Sequence, residues 1–175
     1  LDALQKFPST SRYYEDAQAL MSEVFLNTRD YDRAVSTLEG IKNRTPKLNA
    51  TYQQVTYNRG LQLYQNGQKE EARRYFNKSL DAPVDKRTAA LSSFWMGSIA
   101  NEAQEWNISK QHMTTFLSNA RSFNNLPEES NLLMGNYVQG YNYLKLEDYG
   151  SALSSFKTTV EGIRKAGNTI QSDQI

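Results

Sequence analysis

Residues 57–80 read YNRGLQLYQNGQKEEARRYFNKSL, and this stretch decides the fold. Apolar side chains recur at helical spacing on both sides of Asn66-Gly67, a dipeptide that marks a tight turn. Two short amphipathic helices are therefore expected. Gly60 is small where the first helix must touch its partner, and Ala72 is small on the facing helix. Leu63 and Phe76 supply the bulk that fills the space around this close approach. A helix pair of this size buries its apolar face only by stacking on further pairs.

The same spacing recurs along the chain. First helices carry a small residue at Ser22, Gly60, Gly97 and Gly140, and second helices carry one at Ala34, Ala72, Ser109 and Ala152. Each pair is 12 residues apart. Four residues further on stand Leu38, Phe76, Met113 and Phe156; three residues after the first small position stand Phe25, Leu63, Ala100 and Tyr143. An aromatic opens the second helix at Tyr31, Trp106 and Tyr149, with Lys69 in that place in the second repeat.

Gly60-x2-Leu63 and Ala72-x3-Phe76 form the core of the tetratricopeptide pattern, and the chain resembles a tetratricopeptide-repeat protein. The resemblance implies an all-α fold: a right-handed superhelical array of antiparallel helix pairs serving as a binding scaffold. One domain with four repeats is expected, at roughly 11–46, 49–83, 86–121 and 127–166. Successive repeats are offset by 38, 37 and 43 residues, against a family period of about 34. The surplus must lengthen helices or connections. Ser118 to Leu126 is the expected long loop, with Phe123 folding back onto the array. Leu126-Pro127-Glu128-Glu129 reads as a new helix start. Gly167-Asn168 is expected to stop the final helix, with a frayed tail from Gln171 to Ile175.

At the opening, Leu1 to Pro8 reads as the end of a second helix whose repeat lies upstream, so the sequence is expected to be a piece of a longer array. Pro8 cannot continue that helix, and Ser9, Thr10 or Ser11 is placed to cap the next. Phe7-Pro8, Tyr14 and Ala17 resemble the linkers of envelope repeat proteins in Gram-negative bacteria. That resemblance implies a bacterial periplasmic or outer-membrane-associated setting, with the cytoplasm as the alternative.

Composition narrows the chemistry. Twenty basic against 19 acidic residues give a net charge of +1, which leaves no field of one sign to draw in nucleic acid or anionic lipid. The chain has no cysteine, which removes disulfides, thiolate metal sites and cysteine nucleophiles. Its longest apolar run, Phe94 to Ala100, is far short of a membrane span. His112 is the only histidine and has no carboxylate pair to orient it, so it reads as a surface or packing residue. The pairs Glu70-Glu71, Glu128-Glu129 and Glu147-Asp148 fall near helix starts, where the dipole favours them. No phosphate loop, nucleophile elbow or zinc spacing occurs. No catalytic residue, cofactor or metal ion is expected.

The candidate binding surface comes from the family resemblance, in which first helices line a concave groove that holds a protein or peptide partner. Carried over by position, the groove set begins with Ala19, Glu23 and Leu26. It continues with Tyr57, Leu61 and Tyr64, then Phe94, Ser98 and Asn101, then Tyr137, Tyr141 and Leu144. Asn58, Trp95, Asn142 and Lys145 edge it. The rings have two readings, as half-buried struts or as a recognition strip. Two functions remain: a non-enzymatic docking scaffold, or a glycan- or cell-wall-associated module or helper domain of a larger enzyme. Trp106 is read as a core residue, which favours docking.

Overall fold

The computed structural model of the chain describes residue 8 and residues 10–41, 43–81 and 83–172. The expectations for Leu1 to Phe7, for a cap at Ser9 and for residues 173–175 lie outside this range. The described residues form eight α-helices and one short 3₁₀ turn, with no strand. The helices are α1 (Tyr14–Asn27), α2 (Tyr31–Glu39), α3 (Pro46–Gln65), α4 (Lys69–Asp81), α5 (Lys86–Glu102), α6 (Trp106–Ala120), α7 (Leu132–Lys145) and α8 (Tyr149–Ser172). They fall into two compact units, Leu1–Ala89 and Ala90–Ile175.

In the first unit, α1 pairs with α2 and α3 with α4, and α3 also packs on α2. Ser11 does not cap α1. Its hydroxyl accepts from the Tyr13 N–H, and Tyr13 occupies the cap position without a side-chain hydrogen bond. By contrast, α3 starts cleanly: Pro46 stands in its first turn and the Thr45 side chain accepts from the Leu48 N–H. The core gathers Phe25, Leu38, Leu48, Tyr52 and Val55 around the fully buried Ala34.

The small positions do what the spacing requires. A Cβ on Gly60 would stand 2.8 Å from Phe76 Cε1, so the absent side chain is the space the phenyl ring occupies. The connection after α4 is held from inside. Gln53 is fully buried; its amide donates to the Asp85 carbonyl and accepts from the Val84 and Asp85 N–H groups, while its own carbonyl takes the Ser79 hydroxyl. Glu39 at the end of α2 bridges three helices, accepting from Tyr52 of α3 at 2.8 Å and from Lys78 of α4 at 2.7 Å.

In the second unit, the glycine–side-chain contact recurs twice. A Cβ on Gly97 would meet Met113 Cε at 2.9 Å, and one on Gly140 would meet Phe156 Cε1 at 2.8 Å. Ser109, the small residue of α6, donates its hydroxyl to the Gly97 carbonyl at 2.7 Å. Every residue from Ala90 to Ala100 on α5 is buried. A further close approach joins neighbouring repeats, since a Cβ on Gly135 would come 2.5 Å from Phe116 Cε1.

Two sequence expectations are corrected here. Leu126 to Glu129 does not open an α-helix: Glu128–Ser130 form a single 3₁₀ turn, and Asn131 is extended and caps α7 with its side chain on the Leu133 and Met134 N–H groups. Asparagine satisfies two of the orphan N–H groups at once, a stronger start signal than proline with acids. Nor does Gly167-Asn168 end α8, which runs through to Ser172. One glycine in a helix costs only about 1 kcal/mol, too little to impose a stop without a cap. Phe123 is half-buried beside Leu126, Leu132 and Leu133, as the folded-back loop requires.

Candidate functional site

The turn between the two helices of each repeat has one geometry throughout. The second residue after the first helix adopts the left-handed conformation at Arg29, Gly67, Gln104 and Glu147, with φ of 59°, 78°, 62° and 61°. Counted from the small residue of each first helix, these are the same position. The next N–H reaches back five residues each time, from Asp30 to Phe25, Gln68 to Leu63, Glu105 to Ala100 and Asp148 to Tyr143. This closes the carbonyls at the helix end in a Schellman arrangement, for which glycine is the ordinary choice. Three of the four turns use a side chain instead.

Two of those side chains line pockets. In the first unit, a pocket of about 340 Å³ is bounded by Arg29 and Tyr31 on one side and by Asn58, Leu61, Gln62 and Gln65 of α3 on the other. In the second, a pocket of about 420 Å³ is bounded by Asn101, Glu102, Gln104 and Trp106 and by Tyr137, Val138 and Tyr141 of α7. Gln104 and Trp106 are the repeat counterparts of Arg29 and Tyr31; Val138 and Tyr141 are those of Asn58 and Leu61. Each pocket thus lies between the turn of one repeat and the first helix of the next.

The two differ in chemistry. The first is lined by amides, a guanidinium, one leucine and a single ring, Tyr31. Arg59 beside it is tied down by Gln62 and by a 3.0 Å ion pair to Asp32. The second is aromatic. Trp106 and Tyr141 meet edge to face with centroids 5.9 Å apart, and the Lys145 ammonium sits 5.9 Å and 5.3 Å from the two ring centres. Behind it runs an amide chain: Asn101 donates to Asn142, Asn142 to Gln139, and Gln139 to the Thr114 hydroxyl on α6. That chain fixes how α7 presents Tyr137 and Tyr141.

The residues expected to line the groove separate by burial. Tyr57, Phe94 and Ser98 are buried; Tyr57 rests on Phe76 with centroids 6.0 Å apart, and Phe94 on Phe116 at 5.1 Å. Ala19 is buried too, while Glu23 is exposed and Leu26 half-buried. Leu61, Tyr64, Asn101 and Tyr141 are half-buried, and Tyr137 and Leu144 are exposed at 50% and 41%. Leu61 enters the first pocket, and Asn101, Tyr137 and Tyr141 come together in the second. Of the edging residues, Trp95 and Asn142 are buried. Trp106 is not a core residue: it is half-buried and forms a pocket wall. Arg29, Gln62, Gln65, Glu102, Gln104 and Val138 escaped the sequence reading. The repeat register that places Tyr31 and Trp106 at matching positions could have found Arg29 and Gln104, which stand two residues before them.

His112 packs its Cβ toward Gly97, in keeping with a packing role. Among the described residues no group of three acidic or histidine side chains could hold a metal ion, and no helix is long and apolar enough to cross a membrane.

Residues 54–83 match the tetratricopeptide repeat family. No curated protein matches the sequence. Among solved structures, the chain is similar to MamA 41-end from Desulfovibrio magneticus RS-1, at 16% identity and a TM-score of 0.52. The likeness covers 94% of this chain and 84% of that one, and it is one of fold.

Proposed function

We propose that this tetratricopeptide-repeat protein is a non-enzymatic scaffold that binds an extended protein or peptide partner along its first helices. The observation that carries the reading is the repetition of one pocket, at one position of the repeat, in each unit. A cavity of about 340 Å³ or 420 Å³ takes one or two side chains of an extended segment. Amides at Asn58, Gln62 and Gln65, or at Asn101 and Gln104, are suited to hydrogen-bond a peptide backbone. Tyr137, Tyr141 and Trp106 supply the large, low-entropy contact area that recurs at interaction hot spots. The binding set is therefore Asn58, Leu61, Asn101, Tyr137 and Tyr141 from the sequence reading, joined by Trp106 and the two turn residues.

The glycan reading has one feature in its favour: aromatic rings with Asn101, Glu102 and Gln104 around them. Lys145 weighs against it, because its ammonium covers the ring faces on which a sugar would stack. The bacterial-envelope setting rests on the short linker resemblance at Phe7-Pro8, Tyr14 and Ala17.

Peptides selected from a display library against the chain supply the test. Amide shifts on titration should cluster on Asn58, Leu61 and Gln62 or on Asn101 and Tyr141. Tyr141→Ala should weaken binding by about 1 kcal/mol or more with helix content unchanged. Shifts confined to the outer faces of the second helices, with Tyr141→Ala silent, would overturn the reading.

A further inference from the structure

The polar groups of the first pocket are mostly hydrogen-bond donors. Asn58, Gln62 and Gln65 stand four and three residues apart on one face of α3, with Arg29 on the opposite wall. An amide side chain offers an accepting oxygen and N–H donors, and in two of these residues the oxygen is already taken. The Asn58 oxygen accepts from the Gln54 amide at 3.1 Å, and the Gln54 oxygen in turn takes the Thr88 hydroxyl at 3.3 Å. The Gln62 oxygen accepts from the Arg59 guanidinium, a group that can only donate. What Asn58 and Gln62 have left is therefore N–H. Arg29 adds its fork of donors, and among the described residues its guanidinium has no hydrogen-bond or ion-pair partner.

No carboxylate lines this cavity. The two acids beside it in sequence are engaged elsewhere, Asp30 with Arg33 at 3.4 Å and Asp32 with Arg59 at 3.0 Å. Nor does the repeat pattern call for such a donor set. At the counterpart pocket Gln104 stands for Arg29, Val138 for Asn58 and the buried Asn142 for Gln62. The set belongs to the first unit alone, and charge complementarity assigns it an anion. Leu61 and the Tyr31 ring supply an apolar wall, which suits the methylenes that carry a side-chain carboxylate and has no counterpart in a bare chain terminus.

We propose that the first pocket selects an acidic side chain, glutamate by preference, from within an extended peptide. Arg29 meets the carboxylate, Asn58 and Gln62 donate to it, and Leu61 packs on its methylenes. This rests on the peptide-binding reading above and adds the identity of one side chain to it.

The probes are peptides selected by display against the whole chain and resynthesised with acetylated and amidated ends. Those that shift the side-chain amide resonances of Asn58 and Gln62 should share one Glu or Asp. Changing that residue to Gln should weaken binding about tenfold in fluorescence anisotropy, and less in high salt. Arg29→Gln with Asn58→Val, which import the counterpart residues of the second pocket, should bring the ratio close to one while circular dichroism shows the same helix content. Arg29→Lys should keep part of it. Selected peptides that leave the first pocket untouched, or whose acid can become glutamine without loss, would overturn the proposal and leave the scaffold reading standing, because they still bind. Binding lost on amidation would put a chain terminus in the pocket and overturn it as well. Recovery of no peptide at all would overturn both readings.

Discussion

Gly60→Ala is the sharpest test of the packing. In a helix interior alanine is favoured over glycine by about 1 kcal/mol, so propensity alone predicts stabilisation. Tertiary contact opposes it. The new methyl would lie 2.8, 2.9 and 3.0 Å from three carbons of the Phe76 ring, and Phe76 is fully buried, with no room to swing aside. Overpacking of this kind costs about 1–3 kcal/mol, so the expected net is a destabilisation of about 1 kcal/mol. Gly40→Ala is the matched control. Gly40 has φ of −68°, and its nearest foreign atoms are backbone oxygens at 3.5 Å and 3.7 Å. Alanine fits there, and the unfolded chain loses freedom, so stability should rise by about 0.4–1 kcal/mol. Urea denaturation followed by circular dichroism reads both as shifts in midpoint at constant slope. In a Phe76→Leu background, Gly60→Ala should turn stabilising, because the ring that opposes it is gone. A Gly60→Ala midpoint that rises as far as that of Gly40→Ala would refute the close contact on which the repeat reading rests.

Gln53→Ala strips partners from two N–H groups and one carbonyl in the connection after α4, and should cost about 2–4 kcal/mol by the same assay. Burial raises the pKa of Glu39, but hydrogen bonds from Lys78 and Tyr52 outweigh it and hold the carboxyl below its ordinary 4.5. A depressed carboxyl stabilises the fold above that value and loses its contribution as pH falls through the folded pKa. The melting-temperature gap between wild type and Glu39→Gln should accordingly be widest at neutral pH and close in acid. Arg29→Gly and Gln104→Gly relieve left-handed backbone at non-glycine residues and should each raise stability by about 1 kcal/mol, while weakening peptide capture at the pocket each side chain lines. Capture at full strength by both variants would remove the turn residues from the site.

The periodicity of small and bulky residues was enough, without coordinates, to define the helix pairs and their closest contacts. Gly60 with Phe76, Gly97 with Met113 and Gly140 with Phe156 are local pairs, each spanning one turn, and their spacing is written directly into the chain. Burial of the first-helix rings was not legible in the same way. Tyr57 and Tyr137 are repeat counterparts, each resting on the aromatic 19 residues later, at centroid distances of 6.0 Å and 6.1 Å. Yet Tyr57 is 6% exposed and Tyr137 is 50% exposed. Identical local pattern gives opposite exposure because burial depends on which neighbouring elements cover the ring, and those come from elsewhere in the chain. The turn residues show the same divide. Helical spacing locates the turn, but Arg29 and Gln104 take part in pockets only because α3 and α7 fold back beside them. Contacts within a repeat follow from short-range sequence order, whereas the pockets are assembled between repeats, where only tertiary structure brings the walls together.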